Sequence, residues 1–101
     1  MGFFSFNSEF EITVNHPKEE AFNRFYDYVI NKGNLSISNY ELYDMLAFTK
    51  DTTLFSWPID FEIFFNGAGK NQTKLTVKSS SGSIDWGKAK RIIGEIVDII
   101  Y

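Results

Sequence analysis

The sequence predicts an α+β domain: five strands and two helices in the order β-α-β-β-β-β-α. The sheet is five-stranded and mostly antiparallel, its strands running 2-3-4-5-1, with both helices packed on one face. Three observations carry this. Residues 8–14, 59–66 and 73–80 alternate apolar and polar side chains, the pattern of a strand buried on one side. Residues 15–33 and 85–101 repeat apolar side chains every three or four positions, the pattern of a helix with one buried stripe. The connections between the last four strands are short, which makes neighbours antiparallel.

The first strand reads "SEFEITV" (8–14), with Phe10, Ile12 and Val14 on one face and Glu9, Glu11 and Thr13 on the other. The same parity reaches back to Phe4 and Phe6, so either the strand starts earlier or these rings cover an edge or a partner. In the first helix, Pro17 suits the first helical position, where a missing N–H costs nothing. Glu19 and Glu20 follow in the first turn, where the helix dipole favours anions. Phe22, Phe25, Tyr26, Val29 and Ile30 form the stripe, and Gly33 is expected to close the helix as a left-handed cap.

Short strands are predicted at 35–38 and 45–49, joined by a turn-like linker, "NYELYD" (39–44), that carries two Tyr. Residues 52–58, "TTLFSWP", read as irregular, because Pro58 cannot donate to a ladder inside a central strand. A hairpin follows, with strands 59–66 and 73–80 around the glycine-rich loop "NGAGKNQ". Centring it on Gly69 places Ile63 opposite Leu75 and Phe61 opposite Val77. On the outer face Asp60 then meets Lys78 and Glu62 meets Thr76, each favourable pair worth roughly 0.2–1 kcal/mol. The last helix carries Trp86, Ile93, Ile96, Val97 and Ile100, widened by Ile92 and Ile99.

These elements fix the topology. The first helix is a crossover, so the first strand runs parallel to the second and joins the far edge antiparallel to the last. Both helices need the single apolar face of the sheet. The other face holds Glu9, Glu11, Thr13, Asp60, Glu62, Lys74, Thr76 and Lys78, a composition suited to water.

Composition bounds the function. One domain spanning 1–101 is expected at this length, and with 44% hydrophobic residues, 18% aromatics and 11 Phe it has the material for a core. There is no Cys and a single His, His16. Disulfides, thiol nucleophiles, zinc–thiolate sites and multi-histidine metal sites are therefore excluded. A net charge of −3 argues against nucleic acid as a partner. No apolar run approaches the ~20 residues of a membrane span, and the start lacks the features of a signal peptide. A cytoplasmic location is expected.

One stretch imitates a nucleotide site. Gly82 to Lys88, "GSIDWGK", fits G-x-x-x-x-G-K between a strand and a helix. The next position, where Ser or Thr would ligate Mg²⁺, is Ala89, and Asp85 would set a carboxylate beside the phosphates. The stretch is better explained as a helix start: Asp85 or Ser83 caps it, Trp86 begins the buried stripe and Gly87 allows close approach. Gly94 in mid-helix costs about 1 kcal/mol relative to Ala, which close packing is expected to offset. His16 lacks a visible nucleophile and orienting carboxylate, so it reads as a cap or surface residue. The carboxylate pairs Asp60/Glu62 and Glu9/Glu11 read as solvated face, as do Lys88, Lys90, Arg91 and the group Lys70, Lys74 and Lys78. No catalytic, cofactor or metal residues are assigned.

Beyond periodicity, "LFSWPIDFEIFF", "TKLTVKSSS" and "DWGKAKRIIGEIVDII" together resemble a family of small, uncharacterised bacterial domains. Its members carry a helix, a strand reading S-W-G-x-x-I-x-I, a strand reading T-x-V-x-V-x-S and a closing helix opened by D-W-G-K-N. Here Pro58 stands after Trp57 in place of Gly, and Ala89 after Lys88 in place of Asn. The resemblance implies a β-α-β4-α fold similar to half of the TATA-binding-protein fold or to a shortened helix-grip domain. It implies no activity, ligand or cofactor.

Two functions follow as expectations. The first is a non-catalytic interaction or accessory module with a protein partner, or a homodimer through Phe3, Phe4 and Phe6 or the wide final helix. The second is a binder of a small apolar ligand in a cleft between helix and sheet, lined by Phe25, Phe48, Trp57, Phe61 and Trp86.

Overall fold

The structure is a computed structural model describing residues 8–50, 59–81 and 86–100. The alternation and stripes seen in the sequence become β1 (Ser8–Val14), α1 (Lys18–Asn31), β2 (Leu35–Glu41), β3 (Met45–Lys50), β4 (Ile59–Gly67), β5 (Thr73–Ser81) and α2 (Trp86–Ile100). The five strands form one sheet in the order β1-β5-β4-β3-β2, every neighbour antiparallel. Read in reverse this is the predicted 2-3-4-5-1. The edges are β1 and β2.

One face of the sheet carries the core. Phe61, Ile63 and Phe65 of β4 and Leu75 and Val77 of β5 are buried together with Phe22, Phe25 and Val29 of α1 and Ile93 and Ile96 of α2. Alternating burial along β4, with Asp60 turned out and Ile59, Phe61 and Ile63 turned in, is what period 2 demands. The two aromatics at the sheet centre, Phe48 and Phe61, face each other across β3 and β4 with ring centroids 4.9 Å apart and planes at 21°. Such stacked pairs add about 0.5–1.5 kcal/mol beyond their area.

Several local expectations are corrected. The hairpin between β4 and β5 pairs Ile63 with Val77, Phe61 with Ser79 and Glu62 with Lys78, two residues away from a register centred on Gly69. The loop is the cause. Gly67 pairs with Thr73, and Ala68 N–H donates to the Gln72 carbonyl at 3.0 Å. Gly69 (φ 123°) and Asn71 (φ 62°) take the positive-φ positions, which moves the centre to Lys70. A shift of two preserves which side chains face inward, so the core prediction survives the error.

Helix α1 begins one residue later than predicted: Pro17 lies just outside it with an extended ψ of 157°, and its carbonyl accepts the Ala21 N–H at 2.8 Å. Gly33 is not a left-handed cap, since among the described glycines only Gly69 has positive φ. The chain leaves α1 through an extended Lys32 instead. The buried face of α1 is Ala21, Phe22, Phe25 and Val29, whereas Ile30 is 56% exposed. The helix is thus rotated toward its small residue, Ala21, and away from Ile30.

Residues 39–44 are not all turn. β2 runs to Glu41, and a bulge between Ile37 and Asn39 shifts its parity. Ile37 pairs with Phe48 and Tyr40 with Leu46, so Ile37 and Tyr40 share the core face although three residues apart. An extra residue of this kind hides the alternation from the sequence. The outer face is also less uniformly polar than expected: Met45 and Ala47 are buried there, beside half-buried Phe64. The Lys78 ammonium lies 5.5 Å from the Phe64 ring centroid.

Trp86 does open α2, and the cap assigned to Ser83 or Asp85 lies outside the described residues. Gly94 does not serve close packing, because a Cβ built on it meets nothing within 4 Å. Gly94→Ala is therefore expected to stabilise the domain by about 0.5–1 kcal/mol through helix propensity and unfolded-state entropy. A lower melting temperature for this variant would show that the site is filled.

Candidate functional site

The seam between α1 and the edge strand β2 holds the most distinctive surface among the described residues. From α1, Phe22, Tyr26 and Ile30 project at i, i+4 and i+8, along one line of the helix. From β2, Tyr40 projects toward the same helix, and Leu42 follows in the turn to β3. Tyr26 and Tyr40 meet edge to face, centroids 5.6 Å apart at 77°. Phe22 lies behind both, 6.0 Å from Tyr26 and 6.3 Å from Tyr40. Phe22 is buried, but Tyr40 is 48% and Leu42 60% exposed. With Ile30, these are the large hydrophobics that remain exposed among the described residues. Between them Phe22, Asn23, Tyr26, Tyr40 and Leu42 line a cleft of about 130 Å³.

The turn that presents Leu42 is strained. Asp44 N–H donates to the Glu41 carbonyl at 2.8 Å, closing a tight reversal. Tyr43 within it has φ 66°, a left-handed conformation that Gly or Asn adopts far more readily than Tyr. The strain is held from both sides. The Tyr43 ring packs edge-on against Phe22 at 5.7 Å, and the Asp44 carbonyl accepts the Phe65 N–H at 2.9 Å. The Asp44 carboxylate pairs with Lys18 at 2.5 Å. A turn built from Leu and Tyr where Asn-Gly would be relaxed carries a conformational cost, and such outliers cluster at functional sites.

The electrostatics of the seam are acidic. On α1, Glu19 and Asp27 stand one turn to either side of Asn23, and among the described residues neither makes an ion pair. The cations of α1 and its C-cap are already engaged: Arg24 with Glu20 at 3.3 Å, Lys18 with Asp44 of the seam turn, and Lys32 over the Tyr28 ring at 5.7 Å.

Three of the residues expected to line an apolar cleft are packed in the core. Phe25 and Phe48 are fully buried and Phe61 is 1% exposed, each engaged with a neighbouring ring: Phe25 lies 5.9 Å from Phe65, and Phe48 stacks on Phe61. Trp57 and the interface candidates Phe3, Phe4 and Phe6 lie outside the described residues, as does the Trp86 side chain. His16 acts structurally: Nδ1 pairs with Glu20, and its carbonyl accepts the hydroxyl of buried Thr73 at 2.8 Å. This ties the start of α1 to the start of β5. Two carboxylates of the outer face are engaged with neighbours, Asp60 accepting from Thr49 at 2.8 Å and Glu11 pairing with Lys74 at 3.6 Å. Among the described residues no group of three or more His, Asp or Glu is placed to hold a metal, and no described helix is long and apolar enough to cross a membrane.

Sequence reasoning missed Tyr40, Leu42 and Tyr43 because they fell in a presumed turn. The available signal was compositional: "NYELYD" places three large apolar or aromatic residues where turns use Gly, Asn and Asp.

No family model matches this chain, and no curated protein does. The chain is similar in fold to the crystal structure of DR_A0006 from Deinococcus radiodurans, a structural-genomics target. The TM-score is 0.51 at 11% identity, over 72% of this chain and 81% of that one. At that identity the likeness concerns the fold alone.

Proposed function

We propose that this domain is a non-catalytic interaction module that engages a protein partner through the α1–β2 seam. The observation that supports it is the exposure of Tyr40 on edge strand β2 and of Leu42 in the strained turn after it, both lining the cleft against α1, with Ile30 exposed further along that helix. Exposed apolar residues scattered singly are ordinary, whereas several flanking one cleft beside an edge strand are a docking feature. The cleft of about 130 Å³ is small against the ~300–1,000 Å³ of sites that enclose a whole ligand, which favours a partner surface over a small apolar ligand. A second copy of this chain remains within the proposal as one such partner.

Site-directed photo-crosslinking tests it. A photoreactive amino acid replacing Leu42 should give discrete crosslinked species in cells that make the protein, and the same group replacing Lys74 on the outer face should not. A band at twice the monomer mass identifies the partner as a second copy. Equal yields at the two positions, or none at 42, would overturn the proposal.

A further inference from the structure

We infer that the α1–β2 cleft receives the guanidinium of an arginine carried by a basic segment of the partner. The inference rests on the interaction reading above and adds the chemistry of the contact.

Size, lining and charge each narrow the occupant. An apolar void of about 150 Å³ takes up one benzene, so a cleft of about 130 Å³ takes one small head group and not a folded element. Three of the five residues lining it are aromatic, Phe22, Tyr26 and Tyr40, and Asn23 adds an amide. Aromatic faces attract cations through the ring quadrupole, and a planar guanidinium also stacks on them. An Asn side chain such as Asn23 offers a carbonyl acceptor, and a guanidinium brings five donors in a fixed plane.

Charge separates this from a merely apolar anchor such as Leu or Phe. Glu19 and Asp27 each lie four residues from Asn23, about 5–6 Å along the helix. Neither is neutralised by Lys or Arg among the described residues. An apolar side chain would leave those carboxylates facing partner surface without compensation. A cation gains from both, and flanking basic residues on the same segment would meet the acidic rim. Exposed Leu42 then covers the aliphatic stem of the arginine, as long charged side chains bury their stems on apolar surface.

The probe is N-acetyl-arginine methylamide, titrated into the full chain, with the neutral isostere N-acetyl-citrulline methylamide as control. NMR resonances of the Tyr26 and Tyr40 rings and the Asn23 side chain are followed. The arginine amide is expected to give saturable shifts at these positions in the millimolar range. The citrulline amide should bind about 3- to 5-fold more weakly, and added salt should close the gap. Tyr40→Phe keeps the ring face and should retain binding, while Tyr40→Leu keeps apolar area and should lose it. Should Tyr40→Leu fail to fold, the exposed variants Glu19→Gln and Asp27→Asn carry the test, each weakening the arginine amide and leaving citrulline unchanged. Equal binding of the two amides, no saturable change, or shifts centred on the outer-face acids Glu9 and Glu62 would overturn the inference. Loss of arginine binding with crosslinks at position 42 intact removes this inference alone. Absence of both removes the interaction reading as well.

Discussion

Phe22→Ala is expected to destabilise the domain by about 3–5 kcal/mol, whereas Ile30→Ala on the same helix should change stability by under about 0.5 kcal/mol. The two residues belong to one stripe in the sequence. In the structure Phe22 is 1% exposed and Ile30 is 56% exposed. Phe22 touches the rings of Tyr26, Tyr40, Tyr43 and Phe65, all within 6.3 Å between centroids. Truncating it opens a cavity at the junction of α1, β2, the Tyr43 turn and β4, so none of these elements can collapse independently to fill it. Domains of this size hold about 5–15 kcal/mol in total, and 1 kcal/mol moves a melt by roughly 4–8 °C. The expected loss is therefore some 12–40 °C, and thermal unfolding of both variants decides it. A loss below about 1 kcal/mol for Phe22→Ala, or a comparable loss for Ile30→Ala, would mean that the helix is rotated from the position described.

The second large effect concerns the β4–β5 register. The chain contains no cysteine, so an introduced pair has no competitor. Glu62 and Lys78 are direct partners on the accessible face. Directly paired strand residues have Cα atoms about 4.5–5.5 Å apart, inside the range a disulfide spans. The double variant Glu62→Cys/Lys78→Cys should oxidise readily and raise stability by about 3 kcal/mol, the value for a loop of ~15 residues. Glu62→Cys/Thr76→Cys, which a turn centred on Gly69 would favour, places its cysteines on a diagonal of about 7–8 Å and should oxidise poorly. Disulfide yield under mild oxidation, followed by denaturant unfolding with and without reductant, distinguishes the two. Preferential closure of the 62–76 pair would restore the Gly69-centred register.

These two expectations mark where the sequence was legible. The strand order and the division of β1, β4 and β5 into inner and outer faces could be read directly. Both follow from side-chain periodicity and connection length, which are local properties of the chain. The hairpin register could not, because it depends on how Gly69 and Asn71 distribute positive φ around the loop, and a two-residue shift leaves every apolar residue facing inward. The rotation of α1 was equally hidden. A stripe of five apolar residues fits several rotations, and only the sheet, by admitting Ala21 and not Ile30, selects one.

The seam shows the same division more sharply. Composition and the period-2 and period-3.6 patterns alone determined that this is an antiparallel α+β domain with one apolar sheet face and two helices over it. They could not assign Tyr40 to a strand, because the bulge at Ile37/Asn39 breaks the alternation that periodicity depends on. They could not bring Tyr26 and Tyr40 together, because nothing local couples a helix to an edge strand fourteen residues later. Nor could they separate Phe61, which the core consumes, from Leu42, which the surface presents. Those assignments belong to tertiary structure, for a physical reason: burial is a property of what packs on a residue, and the packing partners here come from elements that are distant in the chain.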